Sequence, residues 1–175
     1  IRSCLVGSEM CIRDSINAPP SHEIPFEVLQ DIRRKGGGLL ESQPYSEKAE
    51  NRLINQDNKK VTIRIFNNDS PNFVYLHIHG GGHCIGAADM QDQSLEKISN
   101  DLNCVVVSVE YRLAPANPYP AAPDDCEAAA IWLIENSKCQ FNTEKIVIGG
   151  ESAGANLSAV TLQRLKSKGL LDNVK

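Results

Sequence analysis

The sequence predicts an α/β fold, a mostly parallel sheet flanked by helices, and three observations lead there. From Phe73 onward, short apolar runs alternate three times with longer amphipathic ones. The apolar runs, residues 104–109 above all, are continuous rather than alternating, as strands covered on both faces require. The chain has 175 residues, 41% of them apolar, with a net charge of -4, which suits one globular domain.

The elements follow in order. Residues 1–15 carry neither helical nor strand periodicity and read as a non-native leader, to be set apart from the fold. Residues 16–50 form a cap-like segment. Within it, Phe26, Leu29 and Ile32 recur at spacing three after Pro25, predicting an amphipathic helix over 25–35 that Gly36, Gly37 and Gly38 end. Residues 51–175 make the N-terminal part of the α/β domain. Its first feature is an edge hairpin: a strand over 52–54, a turn at Asp57 and Asn58, and a strand over 61–66 with Val61, Ile63 and Ile65 on one face. Strands are then expected at 73–79, 104–109 and 145–149, and helices at 91–102, 121–136 and 152–168. The helix from 121 places Cys126, Ala129, Ala130 and Leu133 on one side. Asp124 and Asp125 stand in its first turn, where the helix dipole favours negative charge. Both ends of the chain read as cut, the fold being truncated after the helix over 152–168, which leaves the 145–149 strand as an apolar sheet edge.

Composition excludes several functions. Eighteen Lys and Arg against 22 Asp and Glu, with no basic run longer than Arg33, Arg34 and Lys35, do not make a nucleic-acid surface. No apolar stretch approaches the roughly 18 residues of a membrane span. Six unevenly spaced cysteines (Cys4, Cys11, Cys84, Cys104, Cys126, Cys139) without a CxxC pair read as core thiols, and with the N-terminal composition they point to a cytoplasmic chain.

The chemistry is carried by two motifs. Gly150, Glu151, Ser152, Ala153 and Gly154 form a GxSxG between a predicted strand and a predicted helix. A serine at the tip of so tight a turn is held in a strained backbone with its hydroxyl exposed, and the flanking glycines let strand and helix approach. The next amide, that of Ala153, points from the helix N-terminus at a developing oxyanion. A serine between glycines also occurs as an ordinary helix cap. The second motif, His79, Gly80, Gly81 and Gly82, ends the preceding parallel strand and leaves backbone N–H groups unshielded, the other half of an oxyanion hole.

With these motifs the chain resembles the hormone-sensitive-lipase-like carboxylesterases of the α/β-hydrolase fold. The resemblance rests on His79 to Gly82, on Tyr111, Arg112, Leu113, Ala114 and Pro115 continuing into 118–125, and on 150–157. Glu151 stands where that family usually has Asp, and His83 where an aromatic residue is common. The resemblance implies a nucleophilic Ser152, an oxyanion hole of the Gly81, Gly82 and Ala153 amides, a small-molecule ester substrate, and no metal or cofactor. It also implies that His79 fixes the glycine loop and that Tyr111, Arg112 and Asp124 brace loops beneath the site. Glu151 reads as a loop anchor rather than a general base.

Two other readings stay open. His77, His79 and His83 form HxHxxxH, a spacing that also suits a zinc hydrolase. A non-catalytic receptor of the same fold would keep the pocket and lack the base. In this fold the triad acid and base follow the serine, yet all four histidines (His22, His77, His79, His83) precede Ser152 and only Asp172 is acidic after it. The 175 residues alone are therefore expected to be inactive.

Overall fold

A computed structural model describes residues 23–35, 44–172 and 174–175. The leader over 1–15, His22, Cys4, Cys11 and the triple glycine at 36–38 lie outside the described residues. The elements are helix α1 (Phe26–Arg34), strands β1 (Glu50–Gln56), β2 (Lys59–Phe66) and β3 (Val74–Ile78), helix α2 (Asp92–Leu102), strand β4 (Val105–Glu110), helix α3 (Ala121–Phe141), strand β5 (Ile146–Gly150) and helix α4 (Ala153–Ser167).

The five strands lie in the order β1-β2-β4-β3-β5. β3 pairs in parallel with β4 and β5, and the β1–β2 hairpin adds antiparallel at the far edge. Asp57 and Asn58 make the hairpin turn with φ 50 and 63, the left-handed values that a two-residue turn demands and that Asn and Asp tolerate. Beyond β5, Val174 bridges to Ile146 and the Lys175 amide donates to the Ile146 carbonyl at 2.9 Å. The expected bare edge is thus partly covered at its start.

β4 shows why the sheet needs cover on both sides. Val105, Val107 and Val109 pack with Leu76, Ile78 and the inner face of α3, while Val106 points the other way among Phe66, Leu95 and Cys104 under α2. All four valines are 0% exposed, and each contributes about 1.5–3 kcal/mol by leaving water. Cys126, Ala129, Ala130 and Leu133 of α3 are buried as their spacing predicts. The helix runs past its predicted end at 136 because Ser137 and buried Phe141 continue that stripe through a polar-looking stretch. Asn142 closes it in the left-handed conformation (φ 56).

Two details add to or correct these expectations. Arg64, on the face of β2 opposite Val61, Ile63 and Ile65, is only 1% exposed. Its charge is taken inside by Asp92 at the start of α2, by the Tyr45 hydroxyl and Asn51 at 3.0 Å each, and by the Ser46 carbonyl at 2.7 Å. The second concerns α1, whose predicted stripe is not buried: Phe26 and Ile32 are exposed and Leu29 is half-buried. α1 instead docks through Gln30 and Arg34. Of the described thiols, all four are free. Cys104 and Cys126 are core residues as expected, whereas Cys139 is exposed.

Candidate active site

The site is assembled where β3 and β5, neighbours in the sheet, end side by side. Ser152 occupies the turn between β5 and α4 with φ 55 and ψ -117, a conformation that side chains avoid. It is exposed, and its hydroxyl makes no capping bond to the helix it precedes. The ordinary-cap reading therefore does not describe this serine. The turn exists because glycine lines it: a Cβ on Gly150 would lie 2.0 Å from the Ile78 carbonyl oxygen, and one on Gly154 1.8 Å from the same atom. Strand β3 passes too close for any side chain at either position.

The glycine loop follows β3. Gly81 and Gly82 have φ 125 and 62, and the Cys84 and Ile85 amides fold back on the Gly81 carbonyl at 3.1 and 3.0 Å. Among the described residues, no hydrogen bond to another protein group uses the amides of Gly81, Gly82 or Ala153.

Glu151 ties the two motifs together. Its Oε1 accepts from the Gly80 amide at 2.6 Å and from the Gln91 side chain, so one carboxylate holds both ends of the loop after β3. Its Oε2 lies 3.0 Å from His77 Nε2, while His77 Nδ1 lies 3.0 Å from the Ser108 hydroxyl. Burial pushes the Glu151 carboxyl up, but the bonds from His77 and Gly80 outweigh it and hold the group below its ordinary value of 4.5. This bonding occupies the carboxylate as an anchor. Because the folded value is depressed, the stabilisation is complete above about pH 4.5 and is lost as pH falls through the folded value. Glu151→Ala is expected to strand three donors, lower stability by at least about 1–3 kcal/mol, and cut turnover about a hundredfold by letting the glycine loop drift. Glu151→Gln, which keeps an acceptor, should lose much less. Denaturation midpoints and kcat with an ester substrate check both, and equal effects of the two changes would count against anchoring.

Beneath the site, the residues that the resemblance names as braces make the following contacts. His79 Nδ1 lies 2.8 Å from the Gly80 carbonyl and its ring stacks on Tyr111 at 4.1 Å. The Tyr111 hydroxyl donates to the His79 carbonyl at 2.8 Å, and burial pushes that phenol far above its usual range. Arg112 is held by Asp125, in a fork at 2.8 and 2.9 Å, and not by Asp124. Asp124 points across to Arg164 of α4 at 2.8 Å and to Lys59 at 3.5 Å. Neighbouring residues on a helix differ by about 100° in direction, and only the packing decides which reaches Arg112.

The histidine spacing does not build a metal centre. His77 is engaged with Ser108 and Glu151, and His79 lies against Tyr111 and Gly80. Among the described residues no group of three or more His, Cys, Asp or Glu side chains could hold a metal ion. His83 (φ 64) instead lines a cleft of about 560 Å³ with Gly82, Cys84, Tyr119, Asn156 and Val160. Ser152 is not among the lining residues. The cleft meets the site at Gly82 and at Asn156, one helical turn beyond the serine on α4.

Adjacent parallel strands that end in a triple-glycine loop and a GxSxG turn define a class of protein. The family model described as alpha/beta hydrolase fold matches residues 75–175, and the chain belongs to that family, in its hormone-sensitive-lipase-like branch. An arylesterase of Saccharolobus solfataricus is 35% identical over 139 residues, covering 76% of this chain and 45% of its own length. Esterase LipI of Mycobacterium tuberculosis is 40% identical over 98 residues, 55% of this chain and 30% of its own. The structure of a Pyrobaculum calidifontis esterase superposes with a TM-score of 0.71 at 25% identity, covering 91% of this chain and 53% of that one. The chain spans about half the length of such solved relatives and less than half that of the curated ones. No helix among the described residues is long and apolar enough to cross a membrane.

Proposed function

We propose that the protein is a serine carboxylesterase that cleaves small or medium-chain carboxylic esters through an acyl-enzyme on Ser152. The observation that carries this reading is Ser152 itself, exposed at φ 55 with its hydroxyl making no capping bond, at the end of the strand beside the glycine loop, whose Gly81 and Gly82 amides bond to no other protein group among the described residues. The Ser152 oxygen bonds to the acyl carbon as its proton passes to a base. The Gly81, Gly82 and Ala153 amides take the negative charge on the carbonyl oxygen, and each such donor is worth about 3–4 kcal/mol in the transition state. Collapse breaks the bond to the alcohol oxygen, which leaves with the proton, and water then releases the acid. No metal or cofactor enters. The names of the relatives, arylesterase and esterase, favour an ester substrate. The four cysteines among the described residues, all free thiols, favour a reducing, cytoplasmic setting.

Residues 153–175 include no histidine, and His77 and His79 are committed to loop contacts. On this reading the 175 residues alone are nearly inert. The test compares their turnover of p-nitrophenyl acetate with that of the chain extended to its relatives' length, with and without a chelator. The longer chain should hydrolyse the ester regardless of chelator, and the shorter one at least about a thousandfold more slowly. Comparable turnover from both, or loss of activity on chelation, would overturn the assignment.

A further inference from the structure

The loop carrying the proposed oxyanion donors is held at its ends by Glu151, but its middle is held from elsewhere. The Gln30 side chain on α1 donates from Nε2 to the Gly86 carbonyl at 2.7 Å, and accepts from the Gly86 amide at Oε1 at 2.8 Å. One side chain thereby satisfies both backbone groups of one residue, as a neighbouring strand would. Gly86 is no ordinary loop position. It is buried with φ 105, and a Cβ there would lie 2.5 Å from His79 Nδ1 and 2.6 Å from the Gly80 carbonyl oxygen. Its backbone is therefore pressed against the start of the glycine loop, while the Gly81 carbonyl collects the Cys84 and Ile85 amides in between. Segment 80–86 closes on itself, and Gln30 grips the point of closure. Downstream, the Ala88 amide donates to Glu110 at 2.6 Å, and Arg34 of α1 reaches Asp89 at 3.3 Å across an exposed pair. With its apolar residues largely exposed, α1 meets this loop mainly through Gln30.

We infer that Gln30 is a positioning residue for the ester-hydrolysing site: the N-terminal cap-like segment sets the conformation of the Gly81 and Gly82 donors through a two-point hydrogen bond to Gly86. The inference rests on the esterase reading above. Oxyanion donors act on the transition state more than on bound substrate, so a loosened loop lowers kcat and leaves KM nearly unchanged.

The experiment uses the full-length chain and three variants, Gln30→Ala, Gln30→Met and Gln30→Glu, with active sites counted by a phosphonate that labels the reactive serine. Wild type should carry the adduct on Ser152. Per labelled site, Gln30→Ala and Gln30→Met should show kcat reduced about 10- to 100-fold, KM within about twofold, and faster amide exchange over 80–87. Gln30→Glu keeps the acceptor for the Gly86 amide but sets a carboxylate against the Gly86 carbonyl. Its kcat relative to wild type should rise as pH falls from about 8 to about 5, where a protonated carboxyl can donate again. The other titratable or charged groups around this contact, His79, Arg34, Asp89 and Glu110, are common to variant and wild type and cancel in that ratio. A merely structural role would reduce the number of labelled sites and leave kcat per site unchanged. That result, unchanged exchange over 80–87, or a flat pH ratio for Gln30→Glu would overturn the inference while the esterase reading stands. Absence of an adduct on Ser152 in wild type would overturn both.

Discussion

Ser152→Ala is expected to reduce ester hydrolysis by about a millionfold in the full-length protein, leaving only what the oxyanion donors and binding supply over water. Fold and stability should be almost untouched, because the side chain is exposed and makes no capping bond. Ser152→Gly should be equally inactive yet more stable than Ser152→Ala. At φ 55 and ψ -117 a side chain carries strain of about 1–3 kcal/mol that glycine avoids. The pair of variants separates chemistry from conformation: both lose turnover, and only glycine relaxes the elbow. Retention of more than a few per cent of activity in either would remove Ser152 from the mechanism. Equal stability of the two would mean that the elbow is not strained.

The parts of this site that are legible in sequence are those where backbone geometry admits few residue types. Gly150 and Gly154 can be read because the Ile78 carbonyl leaves no room for a Cβ at either, and Gly80 because a Cβ there would lie 2.8 Å from the Glu151 carbonyl oxygen; Gly81 and Gly82 can be read because their φ of 125 and 62 suit glycine. β4 is legible for a related reason, since valine after valine suits only a strand covered on both faces. What stays hidden is every contact made by an ordinary polar side chain across a long sequence separation. Arg64 sits on the face of β2 opposite Val61, Ile63 and Ile65, and nothing local announces that Tyr45, Asn51 and Asp92 converge on it. Gln30 looks like one more polar residue on an amphipathic helix until Gly86 stands opposite it. The choice of Asp125 over Asp124 as the partner of Arg112 depends on how far α3 is rotated against β4, which no local pattern encodes.

Arg64 is one member of a longer series. In register across the sheet, Asn51 lies beside Arg64, Arg64 beside Ser108, and Ser108 beside His77. Asn51 bonds to Arg64, and Ser108 to His77, which in turn meets Glu151 at the elbow. A polar row therefore runs across the sheet from the hairpin edge to Glu151, the residue before Ser152. Such a row is tolerated in an apolar sheet only if its members are satisfied.

Asp92→Ala is accordingly expected to be the most destabilising of the single substitutions considered, at about 3–5 kcal/mol. Arg64 is 1% exposed and Asp92 0%, and the guanidinium reaches Asp92 from Nε at 2.7 Å and again from Nη2. Asp92 also accepts the Ser46 amide at 2.8 Å and lies in the first turn of α2, where the dipole favours its charge. Removing the carboxylate leaves a fixed cation in the core, because arginine does not give up its proton at any ordinary pH. The Tyr45 ring, 4.1 Å from the guanidinium carbon, and the neutral acceptors Asn51 and Ser46 cannot replace an anion. Removing both charges is a different experiment. Arg64→Met with Asp92→Leu fills similar volume with apolar atoms and should recover most of the loss, since the pair's mutual attraction largely repays its own desolvation. Urea denaturation of the full-length wild type, the single variant and the double variant measures both quantities. A loss below about 1 kcal/mol for Asp92→Ala would mean that water reaches Arg64. A double variant no better than the single one would mean that the pair is needed for the conformation of the segment around Tyr45 and Ser46 rather than for neutralising a buried charge.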